Sequence, residues 1–403
     1  MSTVLDTRTE GPTSELDPFS DEFLTDPFPA LDVLRDAGPA VHLTRYGIWA
    51  VAGYRDAHAV LRDPRRFSSA SGVGLANLLT DEYGWRKPSL ILEVDPPVHT
   101  AHRALMVSTM NPRAMRAFQE VFEAEAATLA DELVRRGRFD AVCDLAEIFP
   151  TVVFPRALGA QADTREALLA YGSLSFNAIG PRNRHLEAAL KRAEGVLDWI
   201  ADSCHRTALR PGSIGRAIYE AADAEGIPEE TADSLVRSMF SAGVDTTASG
   251  LGFAVHDFAR FPHQWQLVRD DPSLARNAFE ETIRFESPVI GFFRTTTTEV
   301  SLGDARIPAQ SKVLVFFAGA NHDPQQFPEP HRFDVRRRVA GHLGYGAGPH
   351  VCAGMSIARM EGEAIIRALA ERVERWELDG QPQPRLNNSL RGLARLPVRV
   401  VPR

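Results

Sequence analysis

The segment 345–354 reads Tyr-Gly-Ala-Gly-Pro-His-Val-Cys-Ala-Gly, a glycine-rich loop that delivers Cys352 to the start of a helix. Glycines permit tight turns with positive φ, while backbone N–H groups and the helix dipole stabilise a thiolate at a helix N-terminus. The loop therefore predicts that Cys352 is a thiolate that binds a metal. A nucleophilic cysteine is the alternative, but the spacing assigns it neither a partner histidine nor oxyanion donors.

The other two cysteines, Cys143 and Cys204, lie far from this loop. Three cysteines at wide spacing suit neither a disulfide framework nor a tetrahedral zinc site. A lone cysteine is usually a small, inert core residue, which is our interpretation of both.

A polar group interrupts a long helix that we predict from Pro228 to Phe261. Pro228 suits a first helical position, two glutamates favour the N-terminal dipole, and Pro262 ends the helix. The apolar face is broken midway by Ala242, Gly243, Val244, Asp245, Thr246 and Thr247. A carboxyl and a hydroxyl at this point could relay protons. Alternatively, the threonine hydroxyls only bond to preceding carbonyls and bend the helix.

The elements that position these residues are mainly helical, with a minor β component. Periodicity and turn residues predict a helix over 28–36, strands over 41–43 and 48–52, and a helix from about residue 113 to 137, with helices dominating to residue 284. Strands over 299–302 and 313–317 precede a last helix over 353–373. With no linker or repeat, we expect a flexible tail over 1–16 and one large domain over 17–403.

Composition narrows the functional class. A net charge of −8 and a pI near 5.9 argue against nucleic-acid binding, which needs a clustered positive surface. The polar N-terminus lacks the pattern of a signal peptide, and no apolar run approaches the ~20 residues of a spanning helix. We therefore expect a cytoplasmic protein that binds neither membranes nor nucleic acids.

The cysteine loop resembles the haem-binding signature of the cytochromes P450, with Tyr345 where that family usually has phenylalanine. The resemblance implies the P450 fold, with a long central helix over haem b and Cys352 as the iron ligand. It adds Gly346 and Gly354 to the cofactor site. Residues 242–246 are similar to the family's oxygen-activating motif, which implies that Ala242 and Gly243 face the haem and that Asp245 and Thr246 deliver protons.

Further motifs follow in the family's order. The resemblance implies a buried ion triad of Glu281, Arg284 and Arg332, although a glutamate and an arginine three residues apart on a helix more often form a solvated surface bridge. It also assigns the haem propionates to His99, Arg103, Arg294 and His350.

Within this family, the chain most resembles bacterial enzymes that oxidise para-substituted benzoates, on phrases such as Pro-Ser-Leu-Ile-Leu-Glu over 88–93 and Arg-Asn-Ala-Phe-Glu-Glu over 276–281. The resemblance implies a carboxylate-binding end formed by Arg86, Ser89, Arg237, Ser238 and Ser241. It implies a ring-binding wall formed by Leu92, Phe176, Val289 and Phe292. Ile179 replaces a second phenylalanine, so we expect a wider para end. Serines more often cap helices than bind ligands, which is the alternative for Ser89 and Ser238.

The resemblance also implies redox partners. No flavin or iron–sulfur motif is present, so NAD(P)H would act indirectly, through a ferredoxin reductase and a ferredoxin, to support O2-dependent oxidation of a small aromatic acid by a monomer. Arg336, Arg337 and Arg338, with Arg103 and Arg359, could form a positive docking face, or the run could simply be solvated. The alternatives are a P450 for another small aromatic or hydrophobic substrate, a peroxide-driven enzyme, and a non-catalytic haem-thiolate sensor.

Overall fold

The computed structural model describes residues 11–80, 88–160 and 165–403. Its helices are α1 Asp21–Thr25, α2 Phe28–Ala37, α3 Tyr54–Leu61, α4 Val98–Thr109, α5 Pro112–Arg136, α6 Ile148–Leu158, α7 Arg165–Asn177, α8 Arg184–Arg192, α9 Val196–Cys204, α10 Ile214–Glu225, α11 Glu229–Ala242, α12 Asp245–Arg260, α13 Pro262–Asp270, α14 Ala275–Glu286, α15 Phe317–Asn321 and α16 Met355–Ala370. Short 3-10 or π turns cover Val142–Ala146, Arg206–Ala208, Pro272–Leu274, Leu343–Tyr345 and Gly348–His350.

The strands are short and mostly antiparallel. They are β1 Thr13–Ser14, β2 Val41–Leu43, β3 Ile48–Val51, β4 Phe67–Ser68, β5 Arg138–Asp140, β6 Gly291–Thr296, β7 Val300–Leu302, β8 Ala305–Ile307, β9 Lys312–Phe316, β10 Val373–Leu378, β11 Gln383–Arg385, β12 Gly392–Arg395 and β13 Pro397–Pro402. In the described chain the largest sheet has the order β1-β2-β3-β9-β6-β4, and smaller sheets join β10-β13-β5, β11-β12 and β7-β8. The fold is therefore mainly α with minor β, as predicted.

Several apolar clusters hold these layers together. The helical core contains buried aromatic residues such as Phe122, Phe258 and Trp265, and the last two rings pack with centroids 4.8 Å apart. A second core packs α1 and α2 on the large sheet through residues such as Phe23 and Phe316. Burial of such side chains stabilises the fold by about 1.5–3 kcal/mol each. A cavity lies where the helical core meets this second core, since residues of both line it.

Local sequence explains the helix that was predicted from residue 113. The Asn111 side chain accepts hydrogen bonds from the N–H groups of Arg113 and Ala114, and Pro112 occupies the first turn of α5. Gly137 ends the helix with a φ of 69°. The predicted helices over 28–36 and 353–373 and the four predicted strands are also confirmed within a few residues at each end.

Two predictions on organisation need correction. The long helix over 228–261 is two helices, α11 and α12, separated at Gly243 and Val244. The sheet begins inside the expected 1–16 tail, because Thr13 and Ser14 pair in parallel with His42 and Leu43. In the described residues, no helix is long and apolar enough to cross a membrane.

Candidate active site

The loop before α16 presents Cys352 to the cavity. The Cys352 N–H donates to the Tyr345 carbonyl oxygen at 2.8 Å, which closes the loop. Gly348 has a φ of 70°, and a side chain there would overlap the carbonyl oxygen of Leu61. Glycine is therefore required at this position, both for its conformation and for the close approach of α3.

The surroundings of the Cys352 sulfur act in opposite directions. Burial raises the pKa of the thiol, while hydrogen bonds from the N–H groups of Gly354 and Met355 and the charges of Arg103 and Arg359 lower it. The sulfur thus lies at a helix N-terminus with donors aimed at it, and Cys352 lines the cavity. This combination suits a thiolate that is a metal ligand.

The residues that the sequence assigned to the propionates converge at one edge of the cavity. The rings of His99 and His350 have centroids 4.1 Å apart, and Arg103, Arg294 and His350 line the cavity. Burial lowers the pKa of Arg294 to about 10, against the effect of Asp95, and burial with Arg294 and His99 lowers that of His350 to about 3. Within the described chain, Nε2 of both histidines lacks a hydrogen-bond partner. Buried donors and cations of this kind fit two carboxylates.

The cavity lining fits a haem. Cys352 lines it with Tyr345, Gly346 and Gly354 from the cysteine loop, and Ala242, Gly243 and Thr246 line it from the break between α11 and α12. A thiolate ligand, small residues that leave room for a flat ring and buried donors for two carboxylates are what a haem requires. The residues present therefore fit the haem expected from the sequence.

The break between α11 and α12 borders this cavity. A side chain at Gly243 would overlap the ring of Phe154, so glycine lets α6 pack directly against the break. The Thr246 hydroxyl donates to the Ala242 carbonyl oxygen at 3.0 Å. A hydroxyl that bonds to a preceding carbonyl was the alternative that the sequence left open for Thr246. The same side chain nevertheless lines the cavity. The hydroxyl oxygen can still accept a hydrogen bond from a guest molecule.

Asp245 is 1% exposed and does not line the cavity. Oδ1 lies 3.7 Å from Arg385 Nη1, and this guanidinium group is 3.8 Å from Glu147 Oε1. Glu147 in turn pairs with Arg165 at 3.1 Å. Burial raises the pKa of Asp245, Arg385 lowers it and Glu147 raises it. The charged side chains therefore connect the buried carboxyl to half-exposed groups on α7 and near α6.

The cavity beside the cysteine loop and the α11–α12 break, called the chamber from here on, is largely apolar. Its walls include Leu92, Phe176, Ile179, Val289 and Phe292, as the sequence predicted, together with Met106, Phe154, Met239 and Phe317, which it did not. Ser175, Ser238 and Ser241 supply hydroxyl groups. The Ser175 contribution was missed because its hydroxyl donates to Tyr171 O, a bond typical of a helical serine, so no sequence signal marks it.

The residues expected at the carboxylate end are only partly brought together. Ser89 Oγ and Ser238 Oγ are 2.9 Å apart, and Ser241 Oγ donates to Ser238 O. Arg237 does not line the chamber, although it lies one helical turn before Ser241, which does. Arg237 instead lies near Cys204, whose pKa it lowers against the larger effect of burial. Arg86 lies outside the described residues.

The ion group on α14 differs from the prediction in one member. Arg284 and Glu281 are both 0% exposed, with Nε and Oε2 at 2.7 Å. The second arginine on Glu281 is Arg337, whose Nε is 3.1 Å from Oε1. Arg332, which we expected there, pairs with Glu329 at the surface with 59% of its side chain exposed. Its carbonyl oxygen, not its guanidinium group, takes part, by accepting from Arg337.

Comparison with known proteins decides the family. The family model "Cytochrome P450" matches residues 264–401. Over 388 residues the chain is 46% identical to cytochrome P450 CYP199A2 of Rhodopseudomonas palustris, covering 96% of this chain and 94% of that protein. The chain belongs to the cytochrome P450 family. This P450 is also 31% identical to the monooxygenase PikC of Streptomyces venezuelae, over 98% of this chain and 95% of that one.

Solved structures agree with this assignment. The P450 superposes on CYP109Q5 from Chondromyces apiculatus with a TM-score of 0.81 at 27% identity, covering 96% of this chain and 98% of that one. The family's prosthetic group is haem and its activity is that of a monooxygenase, so the chain is an oxidoreductase of this type. The motifs did not mark Arg385, which lies beside Asp245, or Glu147, which lies beside Arg385.

Proposed function

We propose that this P450 O-demethylates or hydroxylates para-substituted benzoic acids such as 4-methoxybenzoate. The observation that carries the proposal is a hydroxyl pair: Ser238 lines a chamber that is otherwise lined mainly by apolar side chains, and Ser89, which does not line it, has its Oγ 2.9 Å from Ser238 Oγ. Such a chamber suits a ring with one polar end. The sequence resemblance to benzoate-oxidising enzymes supports the same substrate class.

The serines provide adjustable donors for a carboxylate. In the free protein the hydroxyl of Ser238 donates to Ser234 O, and that of Ser241 to Ser238 O, so each can rotate toward a guest. Arg86, three residues before Ser89 in the sequence, would add a positive charge for the carboxylate. Anchoring the carboxylate at one end would leave the para substituent as the part of the molecule presented to the haem, which would fix the position that reacts.

The reaction needs protons in a water-poor chamber. When bound, the haem supplies the activation of O2. Thr246 faces the chamber and holds a hydroxyl at its wall, while the buried Asp245 accepts protons from the side of Arg385 and Glu147. O2, two electrons and two protons then convert 4-methoxybenzoate into 4-hydroxybenzoate, formaldehyde and water.

The electrons would come from NAD(P)H through a ferredoxin reductase and a ferredoxin in the cytoplasm. Arg336 and Arg338 are exposed and suit an acidic ferredoxin, whereas Arg337 is engaged with Glu281 and is unavailable. Association through such a face should weaken as salt is raised.

The test is an absorbance titration of the ferric holoenzyme with 4-methoxybenzoate, with its neutral methyl ester as the matched ligand. We expect a saturable shift of the haem band to shorter wavelength for the acid and a much weaker response for the ester. A Ser238→Ala variant should weaken binding of the acid by about tenfold or more, as the loss of a hydrogen bond to a charged group predicts. Equal responses to acid and ester would refute the carboxylate site and leave the family assignment intact.

A further inference from the structure

Tyr345 occupies the position where the family usually has phenylalanine, and its extra hydroxyl has a specific partner. The hydroxyl donates to Oε1 of Glu280 at 2.9 Å. Glu280 is buried on α14, one residue before the Glu281 of the ion group. The substitution therefore does more than fill the same space, because it links the cysteine loop to a buried carboxylate.

Glu280 is held in its charged form by two further groups. Arg359 Nη2 is 2.6 Å from Oε2, and His342 Nε2 is 3.3 Å from the same oxygen. Burial alone would raise the pKa of Glu280, but the hydrogen bonds and charges of His342 and Arg359 bring it down to about 2. A fixed negative charge thus lies behind the Tyr345 ring at neutral pH.

The same groups reach the sulfur of Cys352. The Cys352 N–H donates to Tyr345 O at 2.8 Å, and Arg359 lies on α16, one turn beyond the Met355 N–H that bonds to the sulfur. The Arg359 guanidinium group is 5.2 Å from the centre of the Tyr345 ring and is attracted both to Glu280 and to the thiolate. Glu280 and the thiolate therefore share one cation.

We propose that Tyr345 is a positioning residue that sets the reduction potential of the haem by partly neutralising Glu280 and orienting it with Arg359 beside the thiolate. Reduction adds an electron to the site, so any uncompensated negative charge nearby opposes it. The tyrosine hydroxyl is a donor that compensates Glu280. This role concerns the haem site and is independent of the substrate.

The test measures midpoint potentials of the substrate-free holoenzyme by spectroelectrochemical titration. In Tyr345→Phe the Glu280 carboxylate loses a hydrogen-bond donor. We therefore expect the ratio of oxidised to reduced haem at a given potential to rise about threefold. In Glu280→Gln the negative charge is lost, so the reduced form should gain about tenfold, or roughly 59 mV for one electron. In the double variant the effect of Tyr345→Phe should disappear, because there is no charge left to compensate.

Tyr54→Phe is the matched control. The Tyr54 hydroxyl donates to Gly341 O at 2.8 Å and tethers the chain just ahead of the loop, without a carboxylate. Its loss should leave the potential unchanged, and the carbon monoxide complexes of all variants should retain the absorbance of thiolate ligation. Shifts of the same sign in both single variants, or a Tyr345→Phe effect that persists in the Glu280→Gln background, would overturn the proposal. If the Glu280→Gln variant takes up no haem, the comparison of Tyr345→Phe with Tyr54→Phe decides. Equal midpoint potentials in those two variants would then overturn the proposal.

Discussion

The Nε atom of Arg337 lies 3.1 Å from Oε1 of Glu281, and Arg284 donates to both oxygens of the same carboxylate. Arg337 also donates to the carbonyl oxygens of Pro328 and Glu329. One guanidinium group thus joins α14 to the irregular segment that leads to the cysteine loop. Its donors satisfy backbone groups as well as a charge, which is how a buried ion group avoids a net desolvation penalty.

We expect Arg337→Ala to destabilise the protein by about 3–5 kcal/mol and to reduce haem uptake, because it leaves Glu281 partly uncompensated in a buried site. Arg332→Ala should cost less than about 1 kcal/mol, since its side chain is mostly solvated. Chemical unfolding of the two variants, followed by fluorescence, provides the comparison. If Arg332→Ala were the more damaging change, the placement of the two arginines would be wrong.

The sequence predicted the members of a site better where their spacing is fixed by regular structure. Glu281 and Arg284 lie three residues apart on a helix, so their contact follows from the helical repeat. Arg337 lies in an irregular segment, where spacing does not fix which arginine turns inward. The motif resemblance therefore selected Arg332, five residues too early.

Long-range ion pairs have no sequence signal at all. Arg385 reaches Asp245 from β11, 140 residues along the chain, and only the packing of β11 near α12 brings them together. The break at Gly243 was visible as a polar interruption, yet its geometry depends on the Phe154 ring that packs against it. Loop and wall residues, by contrast, were predicted from the family resemblance, which assigns them by their position relative to the motifs, and they line the cavity.

We expect Thr246→Ala to uncouple NADH use from product formation. The variant should still bind substrate, since the methyl group keeps the chamber apolar, but it loses the hydroxyl that faces the reacting region. The ratio of product to NADH consumed should fall by at least about tenfold, because general acid–base catalysis typically contributes about a hundredfold or more. Thr246→Ser should restore much of the ratio. Full coupling in the alanine variant would show that the hydroxyl only bonds to Ala242.

The Arg385 side chain should control the proton affinity of Asp245. Burial raises the pKa of Asp245 and Arg385 lowers it, so Arg385→Gln should raise it further. The inflection that belongs to Asp245 is identified by its absence from the pH–rate profile of Asp245→Asn. In Arg385→Gln this inflection should move to higher pH. A substitution of Arg395, which lies on the neighbouring strand and pairs with Asp140, serves as the control. An inflection that stays in place in Arg385→Gln would contradict the role.

Chamber width at the para end should depend on residue 179. The Ile179 carbonyl oxygen accepts from the Leu75 N–H at 2.8 Å, and Gly74 packs closely against the same backbone, so the main chain is fixed and side-chain size sets the space. Ile179→Phe should leave 4-methoxybenzoate binding nearly unchanged and weaken 4-propoxybenzoate by roughly tenfold or more, on the scale of methylene discrimination. The absorbance titration measures both. Equal losses for the two acids would mean that Ile179 does not border the para substituent.

Glu361 on α16 should give the protein a stability that falls as pH rises. Its side chain is 0% exposed, and burial raises its pKa well above the ordinary 4.5, with the Thr247 hydroxyl acting in the opposite direction. The folded state thus binds this proton more tightly than the unfolded state. Its stabilising effect is fully present below pH 4.5 and is lost, at about 1.4 kcal/mol per pH unit, as pH rises toward the folded pKa.

Glu361→Gln stays neutral and keeps nearly the same shape, so it should remove that loss. We expect the variant to be at least as stable as the parent at pH 7 and to show a smaller decline of unfolding free energy between pH 5 and pH 7. Urea unfolding at several pH values measures both slopes. Glu363→Gln, an exchange on the same helix at a half-buried site paired with Arg367, is the control and should leave the slope unchanged. A parent slope that survives in Glu361→Gln would show that the carboxyl is already ionised in the folded protein.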